Sequence, residues 1–159
     1  MKLMHSLGFA LSLTATLALA QEQRGETKAT VAAKSVSVEY GRPVLAGRDM
    51  LGMAKVGTSW RMGAGSPTSL KTEAELTFGK TVLPKGTYTL TAVKDEKGDW
   101  TAIATDPATK TEAGRMPLVS SILKAPVEQF TIEVTGKDNA GEFAMMWGTA
   151  KMAAPFTGK

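Results

Sequence analysis

Residues 87–105 decide the fold class of this chain, and they read TYTLTAVKDEKGDWTAIAT. Tyr88, Leu90 and Ala92 alternate with threonines, and the alternation resumes at Trp100 after the polar residues 95–98. An alternation of period two places every second side chain on one face of a strand, and a polar turn containing glycine between two such runs is typical of a hairpin. The stretch therefore predicts two antiparallel strands that share one buried face.

The same pattern extends outward from this hairpin, with almost no helical periodicity anywhere in the chain. Further short strands are predicted at residues 30–40, 69–72, 75–78, 118–123, 130–134 and 143–151. Short strands at this spacing are typical of a β-sandwich or barrel. We predict an all-β protein, a single-domain antiparallel β-sandwich over residues 30–155, and the pattern leaves immunoglobulin-like and jelly-roll topologies both open.

The first 20 residues have the pattern of a secretory signal peptide. Lys2 precedes an apolar run over residues 7–19, and Ala18-Leu19-Ala20 has the small-x-small form of a cleavage site. The alternative, a membrane anchor, needs a longer apolar run. We expect cleavage after Ala20, a flexible leader over the polar residues 21–29, no integral membrane segment after cleavage, and a periplasmic or secreted protein.

The composition excludes several classes of function. Of the 159 residues, 19 are basic and 15 acidic, none is cysteine, and the one histidine is His5, inside the predicted signal peptide. Disulfides, catalytic thiolates, imidazole general bases and His- or Cys-ligated metals are therefore excluded from the processed chain. We predict no metal site, no cofactor and no catalytic residue. The scattered basic residues and the export signal also argue against nucleic-acid binding.

A glycine-rich stretch over residues 41–65 breaks the strand pattern and concentrates positive charge. It contains six glycines and four basic residues against one acidic residue, and we predict a long ordered loop with a short strand around residues 58–62. Arginine can hold carboxylate, phosphate or sulfate bidentately. We therefore predict a ligand site for an anion or a carbohydrate at Arg42, Arg48, Trp60 and Arg61. The alternative is that each arginine pins the loop through carbonyls and carboxylates.

The other large aromatic residues fit a core better than a binding platform. Tyr88, Trp100 and Trp147 occupy alternating strand positions, whereas Trp60 stands between polar neighbours and is the better candidate for a pocket wall. Glu73 and Glu75 share a face if their stretch is extended, as a pair of glycosidase carboxylates would, although a solvated strand face explains them equally.

Three functions remain open from these residues. The first is a non-catalytic binding or interaction module that uses the basic glycine-rich loop. The second is a histidine-free, carboxylate-based hydrolase directed at glycans. The third is a structural domain of the cell envelope with a protein partner.

Three motifs in order carry a resemblance to a known family. They are Tyr40-Gly41-Arg42-Pro43, then Trp60-Arg61-Met62-Gly63-Ala64, then Leu83-Pro84-Lys85-Gly86-Thr87-Tyr88. Over about residues 30–155 the chain resembles the bacterial exported domain-of-unknown-function family number 2911. The resemblance implies an exported, mainly β domain to which no activity is assigned.

Overall fold

The computed structural model describes residues 23–159, and these form a protein made of strands and connecting turns. The predicted signal peptide and its cleavage site at Ala20 lie outside the described residues. Nine strands are present: β1 (Arg24–Val31), β2 (Lys34–Gly41), β3 (Thr68–Thr72), β4 (Leu76–Phe78), β5 (Thr81–Leu83), β6 (Gly86–Lys94), β7 (Trp100–Thr105), β8 (Glu112–Lys137) and β9 (Ala140–Gly158). The predicted all-β class is confirmed.

All nine strands join one antiparallel sheet in the order β1-β2-β3-β6-β7-β8-β9-β4-β5. The hairpin predicted over residues 87–105 is its centre, where Leu90 of β6 pairs with Ala104 of β7. The long strand β8 pairs with β7 through its first residues and with β9 through the rest. The β-sandwich itself stays a prediction, and its topology, immunoglobulin-like or jelly-roll, stays open.

The far end of β8 returns to the first strand of the sheet. The amide of Val134 donates to the Thr27 hydroxyl at 3.1 Å, and the amide of Ala32 donates to the Asp138 carbonyl at 2.6 Å. Buried side chains from all nine strands meet in one core, with Phe130, Leu90 and Met145 among the most completely enclosed. Burial of these apolar side chains is the main stabilising contribution.

The predicted flexible leader over residues 21–29 is wrong from Arg24 onward. Strand β1 pairs with β2 along its whole length, from Arg24 opposite Gly41 to Val31 opposite Lys34. Its side chains alternate between exposed and half-buried, and only Val31 is fully enclosed. The polar composition concealed this strand because main-chain pairing with β2, rather than apolar burial, holds it in place.

Strand β8 also begins earlier than the sequence indicates. Residues 106–117 read as a polar loop containing proline, yet β8 starts at Glu112, and the buried Met116 and Leu118 alternate with the exposed Arg115 and Pro117. The apolar positions on this face are too few to stand out in the sequence. Pairing with β7 completes the strand.

Candidate functional site

The site is formed by residues 42–67, which join β2 to β3 and which we call the connecting segment. Apart from two isolated bridges it contains no strand, so the long loop predicted over residues 41–65 is confirmed in substance. The short strand predicted around residues 58–62 is wrong, because only the single bridge at Trp60 forms there. At one bridge the amides of Trp60 and Ala92 each donate to the other's carbonyl at 2.8 Å. At the other bridge, Phe130 donates its amide to the Pro43 carbonyl at 2.8 Å, and Leu45 donates to the Glu128 carbonyl at 3.0 Å. The segment is thus held between β8 and β6.

Two of the sequence motifs meet backbone to backbone where the connecting segment begins. A Cβ atom on Gly41 would lie 1.9 Å from the carbonyl oxygen of Ala64, and one on Gly63 would lie 2.7 Å from the carbonyl oxygen of Gly41. Gly63 also has a φ of 144°. These glycines therefore allow a close approach of two chain segments that no larger residue permits. This contact fixes how the connecting segment leaves the sheet.

Trp60 is the centre of an aromatic cluster at the edge of the core. Its ring stacks nearly parallel to that of Trp147, at 6.1 Å between centroids and 12° between planes. It also meets the rings of Trp100 at 5.8 Å and Phe130 at 5.2 Å in edge arrangements. Offset stacked and edge-on contacts are the favourable geometries for aromatic pairs. The half-buried Trp60 is therefore held rigidly while part of its surface stays accessible.

The accessible surface of Trp60 forms one wall of an apolar cavity of about 320 Å³. We call this the Trp60 cavity. Its lining is mostly apolar, with an amine and two hydroxyl groups, and consists of Met50, Leu51, Met53, Ala54, Lys55, Thr58, Ser59, Trp60 and Trp147. Trp147 and the connecting segment thus enclose one concave site.

Lys94 of β6 fixes the part of the connecting segment that encloses this cavity. Its ammonium group donates to the carbonyls of Leu51 and Gly52, at 3.3 Å each, and lies 5.9 Å from the centre of the Trp100 ring. The Asp49 carboxylate accepts the Gly52 amide at 2.8 Å within the same turn. The cavity wall is therefore stabilised by charge-assisted hydrogen bonds rather than by strand pairing.

Arg42 holds the start of the connecting segment against β8. Its half-buried guanidinium donates to the Phe130 carbonyl at 3.4 Å and to the Thr131 hydroxyl at 3.3 Å. Its own carbonyl accepts the side-chain amide of Gln129 at 3.1 Å. This is the arrangement expected of an arginine that pins a loop.

The exposed Arg48 and Arg61 also donate to nearby main-chain carbonyls. Arg48 contacts the Leu45 carbonyl at 3.2 Å, and Arg61 contacts the Gly65 carbonyl at 2.7 Å. Arg48 lines an adjoining cavity of about 220 Å³, which shares Leu51 and Trp147 with the Trp60 cavity. The structure therefore places Trp60 on the Trp60 cavity and none of the three arginines in its lining, and the role of all four residues in ligand binding stays a prediction.

Lys55 is the residue of this site that the sequence reasoning did not single out. It is exposed and is one of the residues that line the Trp60 cavity. It was counted in the positive charge of the loop, but nothing in the local pattern separates it from other surface lysines. Only the path of the connecting segment brings it to the cavity.

The remaining aromatic and acidic candidates have structural partners. Tyr88, Trp100 and Trp147 are buried, as predicted for core residues. Glu73 accepts the Ser35 amide at 3.1 Å, and Glu75 forms an ion pair with Lys159 at 2.9 Å. The two glutamates therefore connect separate parts of the chain.

Three side chains among the described residues, all outside the cavity, have a clearly shifted pKa, and the first is Lys28, whose pKa is raised by its hydrogen bond with Glu26. Burial, with a smaller effect of Asp106, raises the pKa of Tyr88, whose hydroxyl donates to the Pro84 carbonyl at 2.7 Å. Backbone amides of Thr109 and Ala108 lower the pKa of Asp106 by hydrogen bonding to its carboxylate. Tyr88 stabilises the turn before β6, and Asp106 stabilises the turn after β7.

Within residues 23–159, no group of three or more histidine, cysteine or acidic side chains is placed to hold a metal ion. The same part of the chain contains no helix with the length and apolar character that a bilayer crossing requires.

Comparison with known proteins identifies the family. The family described as "Protein of unknown function (DUF2911)" matches residues 22–156. The chain belongs to this family. No curated protein and no solved structure matches the chain. The match confirms the family that the sequence resembles. In this DUF2911 protein, two of the three motifs quoted above form the contact between Gly41 and Ala64.

Proposed function

We propose that this DUF2911 protein is an exported, non-catalytic binding module that holds a small, largely apolar molecule in the Trp60 cavity. The observation that carries the proposal is the concave site between the stacked Trp60 and Trp147 rings and the apolar side chains of the connecting segment. Ligand sites are typically concave, mostly apolar and furnished with a few polar groups, and a volume of about 320 Å³ is at the lower end of their range.

The lining favours an apolar ligand over a sugar. Met50, Leu51, Met53 and Ala54 face the same space as the tryptophans, while the polar side chains are Lys55 and the hydroxyls of the adjacent residues 58 and 59. A sugar carries hydroxyl groups around its ring, and each one that loses water without a partner carries a desolvation penalty. A flat aromatic or alicyclic body needs few polar partners and gains from contact with the indole surfaces.

The same lining supports binding rather than catalysis. Acid–base catalysis requires a positioned proton donor or acceptor within hydrogen-bond reach of the substrate. The cavity lining within residues 23–159 offers a lysine amine and two hydroxyls, with no carboxylate among them. Export is part of the proposal because residues 1–20 have the pattern of a signal peptide.

Isothermal titration of the processed protein with 2-naphthalenemethanol, a neutral two-ring probe, tests the proposal. We expect saturable one-to-one binding to the native protein. The substitution Ala54→Phe should abolish binding because it fills the cavity with a ring. The matched control is Ala108→Phe, at an exposed turn position that lines none of the cavities described above, and it should bind like the native protein.

The Ala54→Phe protein must keep a cooperative thermal transition, which separates a filled cavity from an unfolded chain. Absence of saturable heat with the native protein up to millimolar probe would contradict the proposal. Equal binding by Ala54→Phe and native protein would show that the probe occupies another surface.

A further inference from the structure

The positive charges of the connecting segment differ in what they contact. Arg42, Arg48 and Arg61 each donate to a main-chain carbonyl. Lys55 is the fourth basic residue of the segment, and within residues 23–159 its ammonium group makes neither an ion pair nor a side-chain hydrogen bond. Three of the four cations thus stabilise the loop, and one remains available beside the cavity.

Within the described residues, the charged side chain among the lining residues of the Trp60 cavity is that of Lys55. Lys94 brings a second positive charge to the same part of the segment, because its ammonium group donates to the carbonyls of the lining residue Leu51 and of Gly52. Asp49 lines the adjoining cavity, which shares Leu51 and Trp147 with this one, and its carboxylate accepts the Gly52 amide. Asp95 and Glu96 line a different cavity, on the side of Val56 and Gly57. A cavity whose charges have one sign raises the local concentration of ligands of the opposite sign.

We infer that the ligand is an anionic amphiphile, in which an apolar ring or chain lies between Trp60 and the methionines and a carboxylate or a similar acid group pairs with Lys55. The inference rests on the proposed function of the same cavity and adds the charge of the ligand. The hydroxyls of Thr58 and Ser59, which line the cavity close to Lys55 in sequence, can donate further hydrogen bonds to such an acid group. A cationic ligand would instead be repelled by the positive charge of Lys55.

Two probes with the same ring system test this inference. Binding of 2-naphthoate and of 2-naphthalenemethanol is measured by isothermal titration at low and at high sodium chloride. We expect naphthoate to bind about two- to fivefold more tightly at low salt, the effect typical of one solvent-accessible ion pair. The preference should shrink at high salt because mobile ions screen exposed charges.

The substitution Lys55→Gln should remove the preference for naphthoate and leave the affinity for the neutral alcohol unchanged. The matched control is Lys71→Gln, which removes the same charge from an exposed position on β3 and should keep the preference. If both probes bind the native protein equally, or if Lys55→Gln retains the preference, the inference is wrong while the apolar binding site stands. If neither probe binds, the proposed function fails and the inference falls with it.

Discussion

From the contact between Gly41 and Ala64 we predict that the substitution Gly41→Ala destabilises this DUF2911 protein. In Gly41→Ala, the new methyl group would lie 1.9 Å from the Ala64 carbonyl oxygen and 2.8 Å from the carbonyl carbon and the amide nitrogen of the same residue. All three atoms belong to the main chain, so no side-chain rotation relieves the overlap. Gly41 is paired with Arg24 on β1, which restricts how far β2 can shift.

The magnitude follows from that geometry. Introducing a methyl group into a well-packed region usually reduces the free energy of unfolding by about 1–3 kcal/mol. Because the main chain at Gly41 or at Ala64 must move, we expect the decrease in the free energy of unfolding to be near the upper end of this range, about 3 kcal/mol. For a domain of this size each kcal/mol lowers the melting temperature by roughly 3 °C, so the expected decrease is about 10 °C.

Urea unfolding followed by tryptophan fluorescence measures the effect, with calorimetry for the melting temperature. The matched control is Gly79→Ala, where a methyl group would meet nothing within 4 Å but the residue has a φ of 59°. The control isolates the strain of a left-handed alanine, about 1 kcal/mol. The reasoning is refuted if Gly41→Ala is no less stable than Gly79→Ala.

Two further predictions concern side chains that hold turns and loops. We expect Arg42→Ala to lower the free energy of unfolding by about 1–2 kcal/mol, because two hydrogen bonds to β8 are lost, and Arg48→Ala to change it by less than about 0.5 kcal/mol. Urea unfolding of both variants measures these changes. An equal decrease in the free energy of unfolding for the two variants would contradict the expectation that the half-buried arginine contributes more than the exposed one. The pKa of Tyr88 is raised in the folded state above its ordinary value of 10.0. The contribution of the protonated hydroxyl to the free energy of unfolding is therefore complete below pH 10.0 and is lost as the pH rises through the pKa of the folded state. Tyr88→Phe should be about 1 kcal/mol less stable at pH 7, because its hydrogen bond to Pro84 is lost, and should lose less stability than the native protein between pH 9 and 12. Parallel alkaline profiles for the two proteins would show that Tyr88 does not cause the decrease.

The candidate site was predictable only in part. Trp60 was a candidate for a pocket wall because it stands between polar neighbours beside Arg61, and the structure places it on a cavity, whereas its role in ligand binding stays a prediction. The arginines attracted the prediction because their clustering in sequence was visible, whereas their hydrogen-bond partners were not. Lys55 was overlooked because its position depends on how the segment returns to β6, where the Gly57 amide meets the Lys94 carbonyl.

By itself the sequence determined the fold class, the central hairpin and the buried faces of most strands. Alternation of apolar and polar residues is a local property of the sequence. It predicts which face of a strand is buried without knowledge of the neighbouring strands. The first strand and the start of β8 escaped this reasoning because their stability comes from pairing with a neighbour.

Tertiary structure alone decided where the connecting segment runs and which of its residues form a site. Arg42 contacts Phe130 and Thr131, which lie 88 and 89 positions later in the chain. Trp60 contacts both β6 and Trp147 of β9. Contacts across such separations depend on the register of the whole sheet and on close approaches such as that of Gly41 to Ala64. No local pattern encodes that register, which is why the cavity and its lysine emerge only in the folded chain.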